Sequence, residues 1–142
     1  MAKHAIKVKK YSDVVEEYVA AGVITPGMLI ELTSAGKVQA HSGSSGESLV
    51  MVALENELEG QGIDVDYAAD DRVQCWIPNR GDMIYGLLAD GETAVIGNWL
   101  ESNGDGKLKV GTTKPIGQAV EAVDMSGSSG EDPTGRIIVR IN

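Results

Sequence analysis

The sequence predicts a mainly β protein, a small antiparallel β-barrel or sandwich with at most one or two short helices. Its apolar runs are short, and several alternate with polar residues, which is the period-two pattern of a half-buried strand. Its 18 glycines, well above the roughly 7% average, lie between those runs as turn residues. At 142 residues the chain suits a single domain. We therefore predict one β-rich body at residues 13–142, preceded by an arm at residues 1–12.

The N-terminal segment is basic and holds few apolar residues. Its charged side chains are Lys3, Lys7, Lys9 and Lys10. We expect it to form an extended or mobile arm that meets a different surface from the one the rest of the chain shows to solvent. After the arm, Ser12 or Asp13 could cap a short helix that ends at Ala21, but the same residues also fit an extended segment.

The next part of the chain alternates turn signals with apolar runs. Ile24 to Gly27 predicts a turn, because proline stands at the position it pre-sets and glycine follows. Met28 to Leu32 and Val38 to His41 predict a hairpin around a Ser-Ala-Gly loop. Leu49 to Leu54 is continuously apolar and predicts a strand buried on both faces. Glu55 to Asp71 carries seven acids and no base, so we expect an exposed loop with a short helical turn.

From residue 72 to 110, short apolar runs are broken repeatedly by turn-forming residues. We predict strands at 73–77, 83–88, 94–100 and 108–110. Asp90-Gly91 is a hairpin signal, and Asn103 to Gly106 is a second turn. These elements would form one compact antiparallel unit.

This unit contains the chain's only cysteine and both tryptophans. Cys75 excludes an internal disulfide, and we expect it to be a buried thiol. Trp76 and Trp99 are expected as core residues or as subunit-interface anchors.

The last predicted strands are Ile116 to Val123 and Arg136 to Ile141. Between them, Ser126 to Glu131 repeats the string SGSSGE found at Ser42 to Glu47. The strands on either side do not match, so the repeat does not indicate a duplicated domain. We predict two flexible surface loops.

The charge and hydropathy patterns disfavour two classes of partner. The net charge is −9, and outside the first ten residues the chain is strongly acidic, which argues against nucleic acid as a partner. No apolar run approaches 18 residues, so we expect no membrane span. The first residues lack the apolar region of a signal peptide. We expect a soluble protein made in the cytosol.

None of the candidate catalytic, cofactor or metal motifs in the sequence is complete. His4 and His41 are the only histidines, and His41 and its neighbour Ser42 would point to opposite faces of a strand. Gly106 to Thr113 lacks the lysine of a phosphate-binding loop. Four acids, Asp64, Asp66, Asp70 and Asp71, could hold calcium, but acids clustered in a polar loop are more often solvated. We expect no enzyme, no cofactor and no metal.

Two stretches resemble bacteriophage head decoration, or cement, proteins of the lambda type. They are ITPGMLIEL at Ile24 to Leu32 and AADDRVQCWIPNRGDMIYGLLADGETAVIGNWLESNGDGKL at Ala68 to Leu108. The resemblance rests on turn spacing and strand order. The acidic segment Glu55 to Asp71 is extra relative to the shortest members of that family.

The resemblance implies a fold, a function and partners. It implies a β-tulip-like body that trimerises at capsid threefold sites, binds the major capsid protein outside the expanded shell, and stabilises the virion against internal DNA pressure. It implies no catalytic residue. The implied capsid-binding arm comprises Lys3, Ile6, Lys7, Val8, Lys9, Lys10 and Tyr11. Trp76 and Trp99 would be the subunit-interface anchors.

Two other functions compete with this one. A carbohydrate-binding β-sandwich would use Trp76 or Trp99 as an exposed platform for a sugar. A hydrolase built on carboxylates would need two acids in one concave pocket, whereas most acids fall in one polar segment. The sequence therefore favours a non-enzymatic structural protein, with the carbohydrate-binding module as the alternative.

Overall fold

The structure is a computed structural model that describes residues 4–10, 14–128 and 135–142. Within these residues the regular structure is β-strand plus one 3-10 turn at Glu57–Glu59, with no α-helix. The strands are β1 Lys7–Lys9, β2 Val14–Val19, β3 Ile30–Leu32, β4 Val38–Ala40, β5 Val52–Ala53, β6 Arg72–Ile77, β7 Met83–Leu87, β8 Thr93–Ala94, β9 Trp99–Ser102, β10 Leu108–Val110, β11 Gly117–Ala119, β12 Val123–Asp124 and β13 Arg136–Ile141.

The largest sheet has six antiparallel strands in the order β1-β7-β13-β11-β9-β10. Its central strand β13 pairs with β7 from Arg136 opposite Leu87 to Arg140 opposite Met83. Alternate residues of these strands, among them Val139, face the main hydrophobic core. Strands that are neighbours in this sheet are far apart in the sequence.

Three smaller sheets complete the body: β2-β6-β5, β3-β4 and β12-β8. The three-stranded sheet separates two hydrophobic clusters. Trp76 and Val52 belong to the main core, whereas Val73, Cys75 and Ala53 belong to a second core under the β3-β4 hairpin. The predicted fold class, a mainly β antiparallel protein, is confirmed; the sheets are compatible with a small sandwich, and the described strands do not close into a barrel.

The helix predicted to end at Ala21 is wrong, and the extended alternative is confirmed. Residues 14–19 form β2, which pairs along its whole length with β6, from Val14 opposite Ile77 to Val19 opposite Arg72. Valine is β-branched and fits a pleated sheet better than a helix, and the β6 ladder supplies every cross-strand partner. The proposed helix caps at residues 12 and 13 lie outside the described residues.

Within the described part of the predicted arm, residues 7–9 are extended, but residues 6–9 belong to the body and do not form a mobile arm. β1 pairs with β7, and the Tyr85 amide donates a hydrogen bond of 2.9 Å to the Ile6 carbonyl. Ile6 is completely buried in the main core. Its own amide donates to Glu55 at 3.1 Å. Removing residues 1–10 would therefore disturb folding as well as any binding role.

The central stretch does not form one antiparallel unit. β6 lies in the three-stranded sheet, whereas β7, β9 and β10 lie in the six-stranded sheet. Asp90-Gly91 is a turn but not a hairpin, because β7 pairs with β1 and β13 while β8 pairs with β12. The strand predicted at 94–100 is interrupted by a turn in which Gly97 has φ 91°. The hairpins β3-β4 and β9-β10 are confirmed.

Two further segments are shorter as strands than predicted. In the run from Leu49 to Leu54 only β5 is a regular strand, and Leu49 is 73% exposed. The run from Ile116 to Val123 divides into β11 and the start of β12.

The loop at residues 42–47 is held to the body. The Ser45 amide donates to the Ser102 carbonyl at 2.9 Å, and the Ser45 hydroxyl donates to Glu101 at 2.8 Å. The prediction of a flexible loop is wrong here because β9 supplies these acceptors. Residues 129–131 of the second SGSSGE string lie outside the described residues.

The acidic segment contains the predicted short turn but is also anchored in the interior. Tyr67 is buried, and its hydroxyl donates to the Leu54 carbonyl at 2.7 Å. The buried Arg136 guanidinium donates to the carbonyls of Ile63 and Pro26, both at 2.8 Å. Burial lowers the Arg136 pKa, and nearby Asp64 opposes that shift. This arginine fastens the acidic segment to the six-stranded sheet.

Candidate functional site

The residues predicted for the capsid-binding arm divide into buried and exposed groups. Ile6 is buried, and Val8 packs against the main core. The Lys7 Nζ lies 5.7 Å from the centroid of the Trp76 ring. Lys9 and Lys10 are exposed. Lys3 and Tyr11, the remaining two, lie outside the described residues.

The outer side of β2 is an open sheet edge. Among the described residues β2 pairs only with β6, and four consecutive residues from Val14 onward are exposed. Val14 is 46% exposed and Val15 is 37% exposed, on opposite faces of the strand. An edge strand presents unpaired backbone groups, which makes it a template for a strand from another chain.

An apolar cleft of about 200 Å³ lies beside this edge. Tyr18, Leu32, Leu49 and Ile77 contribute to its walls, with Glu31 and Glu47 among its polar residues. Leu32 is 50% exposed. Val14 lies opposite Ile77 in the β2-β6 ladder, so the cleft and the strand edge adjoin. We call the outer edge of β2 together with this cleft the edge surface. Exposed apolar area of this kind marks an interaction site.

A second cleft, of about 220 Å³, lies at one end of the six-stranded sheet and contains Trp99, Gln118, Arg140 and Arg80. Gln118 on β11 lies opposite Trp99 on β9 and opposite Arg140 on β13, so the three side chains share one face. Arg80 comes from the loop before β7. Among the described residues neither Arg80 nor Arg140 has a side-chain ion pair or hydrogen bond. We call this the tryptophan cleft.

The two tryptophans have different environments. Trp76 is completely buried in the main core, so in this conformation it offers no surface to a second subunit or to a sugar. Trp99 is 37% exposed and forms part of the tryptophan cleft. Of the two residues predicted as interface anchors, only Trp99 is placed to contact a partner.

The structure brings together a serine, a histidine and an acid that the sequence did not connect. His41 Nδ1 lies 2.7 Å from the Ser102 hydroxyl, and Nε2 lies 3.0 Å from the Glu47 carbonyl and 3.6 Å from Glu31. In the neutral ring, Nε2 donates to the Glu47 carbonyl and Nδ1 accepts from the Ser102 hydroxyl. Ser102 is completely buried and His41 is only 3% exposed, so no substrate reaches the hydroxyl. The cluster holds the 42–47 loop in place.

Glu101 is a second buried polar group at this end of β9. Its carboxylate accepts hydrogen bonds from the amides of Lys114 at 3.0 Å and Thr113 at 2.9 Å, and from the Ser45 hydroxyl. The bond from the Lys114 amide is the main cause of a lowered Glu101 pKa, and burial opposes it. A Cβ at Gly111 would overlap the carboxylate, so a larger residue there would push Glu101 away from these hydrogen bonds.

The remaining candidates for chemistry are inert or dispersed. Burial raises the pKa of the Cys75 thiol to about 12, so Cys75 is a core residue and not a nucleophile. Within residues 4–10, 14–128 and 135–142, no three His, Cys, Asp or Glu side chains form a group able to hold a metal, the acids of Glu55 to Asp71 included. None of the helical structure in those ranges is long and apolar enough to cross a membrane.

No protein-family model matches the chain, and no curated protein matches it.

Proposed function

We propose that this chain is a non-enzymatic capsid decoration protein. In this proposal it binds the outside of an expanded phage capsid as a trimer at threefold sites and stabilises the shell against internal DNA pressure. The resemblance of residues 24–32 and 68–108 to head decoration proteins supports it. The observation that carries it is the edge surface, where an open six-residue strand adjoins an apolar cleft.

The edge surface suits a docking role because it combines two kinds of interaction. A strand from the capsid protein, added to β2, would form main-chain hydrogen bonds, and apolar side chains of that strand would fill the adjoining cleft. The exposed Lys9 and Lys10 precede β2 in the chain and would face acidic groups on the shell. Threefold symmetry repeats these contacts, so individually weak contacts would add through effective concentration.

The test is co-sedimentation of the purified protein with empty expanded capsids and with unexpanded procapsids. We expect saturable binding to expanded shells alone. Binding to neither shell, or equal binding to both, would overturn the proposal.

Point variants locate the docking surface. Val14→Lys and Leu32→Lys place charges on the edge surface without disturbing the core, and we expect each to weaken shell binding at least about 30-fold, the effect of losing an interface hot spot. Val65→Lys is the matched control, because Val65 is 43% exposed on the acidic segment. If all three variants bind equally well, the edge surface is not the docking site.

The carbohydrate-binding alternative now depends on Trp99, since Trp76 is buried. It predicts a shift of tryptophan emission when glycans are added, and no shift in a Trp99→Phe variant. An emission unaffected by a panel of neutral and acidic glycans would exclude it.

A further inference from the structure

The tryptophan cleft has the composition of a protein-binding hot spot. Trp99 and the guanidinium groups of Arg80 and Arg140 meet there, and tryptophan and arginine are the residue types enriched at the energetic centres of interfaces. Beside them, the turn before β9 exposes Val95 by 53% and Ile96 by 72%. The residues that line the cleft include no Asp or Glu, although the chain has a net charge of −9. Its charge therefore fits an acidic partner.

The same chain carries a surface of opposite charge, with an exposed apolar side chain, on the 3-10 turn. Leu58 is 80% exposed, and the exposed acids Glu57 and Glu59 flank it. The turn is held by hydrogen bonds from the Gly60 amide to the Glu57 carbonyl at 3.0 Å and from the Asn56 side chain to Glu59 at 3.3 Å. We call residues 57–59 the acidic knob. It presents an apolar side chain between two carboxylates on a fixed turn.

We propose that the acidic knob of one copy binds the tryptophan cleft of a second copy. Leu58 would pack on the Trp99 ring, and the carboxylates would face the guanidinium groups. The facing charges are Glu57 and Glu59 on one copy and Arg80 and Arg140 on the other. The inference rests on the self-association in the proposed function and is independent of capsid binding.

The knob and the cleft of one molecule do not meet. Leu58 lines a cleft with Lys7 on β1, whereas Trp99 lies on β9. No residue lines both clefts, and among the described residues no hydrogen bond or ion pair joins residues 57–59 to Trp99, Arg80 or Arg140. The contact therefore runs between copies. Since it joins two different surfaces, it is head-to-tail, and such contacts close into a ring when the rotation between copies allows it.

The experiment is sedimentation velocity of the full chain over a concentration series, with charge reversal on each side. We expect the wild type to self-associate. Arg80→Glu with Arg140→Glu, or Glu57→Arg with Glu59→Arg, should weaken association at least about 30-fold, the effect of losing an interface hot spot. All four substitutions in one chain exchange the charges of knob and cleft and should restore association.

A second pair of variants tests the apolar contact. Leu58→Asp should also weaken association, whereas Val23→Asp, a change at an apolar residue that is 64% exposed and lies outside both clefts, should not. These positions are all on the surface, and an unchanged far-ultraviolet circular dichroism spectrum will show that each variant is folded.

Three results would overturn the inference. They are a wild type that stays monomeric, association unaffected by charge reversal, or a chain with all four charge reversals that fails to associate. An acidic saccharide that shifts Trp99 emission in a monomeric protein would assign the cleft to a sugar instead. Failure of the proposed function is recognised separately, because shell binding is measured by co-sedimentation. Charge-dependent self-association without shell binding would keep the inference and reject the decoration role.

Discussion

Substitution of Glu101 provides a quantitative test of the polar structure around β9. This carboxylate is 3% exposed, and it accepts two backbone amides and one hydroxyl. Glu101→Ala would leave the amides of residues 113 and 114 without that acceptor. Residues 113 and 114 are exposed, so water can replace the carboxylate as their acceptor. The loss is then that of hydrogen bonds to a charged group, and we expect about 2–3 kcal/mol of destabilisation, a large share of the stability of a small domain.

Glu101→Gln removes the negative charge of the side chain but keeps its hydrogen-bond geometry. One carboxylate oxygen accepts both amides, and the other accepts the Ser45 hydroxyl. The glutamine carbonyl can take the first position, and its amide group can donate to the hydroxyl, which also accepts. Only the charge assistance is lost, and charge-assisted bonds are roughly twice as strong as neutral ones. We expect about 1–2 kcal/mol of destabilisation at pH 7, less than for alanine.

The pH dependence follows from the lowered Glu101 pKa. A carboxyl whose pKa is lower in the folded state stabilises the protein above its unfolded value, about 4.3 for glutamate, and that contribution is lost as the pH falls through the folded value. Glutamine has no such contribution. The stability difference between wild type and Glu101→Gln should therefore be full at pH 7 and should shrink below about pH 4.

Urea unfolding followed by tryptophan fluorescence, at pH 7 and at pH 3.5, measures these free energies. Glu16→Gln is the control, because Glu16 is exposed on β2 and has no hydrogen bond to its side chain among the described residues. An alanine variant as stable as the wild type, or a glutamine variant with the same deficit at both pH values, would refute the assigned role of the carboxylate.

Four further predictions test the core and the exposure of single side chains. Arg136→Met should lower the unfolding free energy by about 2–4 kcal/mol because two buried carbonyl groups lose their donors. Arg136→Lys should not restore stability, since an ammonium group lacks the planar guanidinium that reaches both carbonyls. Thermal unfolding measures both variants. Acrylamide should quench wild-type fluorescence strongly but a Trp99→Phe variant weakly, because the remaining Trp76 is buried; equal quenching would contradict the placement of both rings. Cys75, with its pKa raised to about 12, should react with a thiol reagent at pH 8 only after denaturation. Ile6→Ala should cost about 2–5 kcal/mol in a urea titration, as expected for a completely buried side chain, and an unchanged midpoint would place residue 6 outside the core.

The turns were predictable because their chemistry is local. Thr25-Pro26-Gly27-Met28 forms a turn with Gly27 at φ 97° and a hydrogen bond of 3.0 Å from the Met28 amide to the Thr25 carbonyl. Proline fixes its own φ at the second turn position and glycine accepts the positive φ needed at the third, whatever the rest of the chain does.

Sheet membership was not predictable, because pairing partners are distant in the sequence. β1 pairs with β7, and β11 pairs with both β9 and β13. The stretch at residues 14–19 matched a helical spacing, and only the β6 ladder made it a strand. Local propensity is weak where tertiary pairing supplies the competing interactions.

For the candidate surfaces too, residue type was informative in the sequence, whereas position in the fold was not predictable. The sequence indicated Trp99 as an interface residue by its type, but it could not distinguish Trp99 from the buried Trp76. Arg80 and Arg140 meet beside Trp99 because of the order and register of strands in the six-stranded sheet, which the sequence does not reveal. The pairing of Ser102 with His41, 61 residues apart, was hidden for the same reason.

The position of β1 determines how the capsid-binding role can be tested. Deleting residues 1–10 removes Ile6 from the core and uncovers the edge of β7. Weaker shell binding by the truncated protein could then result from a folding defect or from loss of docking, and the assay would not separate the two. Val14→Lys on β2 and Lys10→Glu beside β1 alter exposed side chains and keep Ile6 in place. Weaker shell binding by these variants, at an unchanged unfolding free energy, can come only from the docking surface.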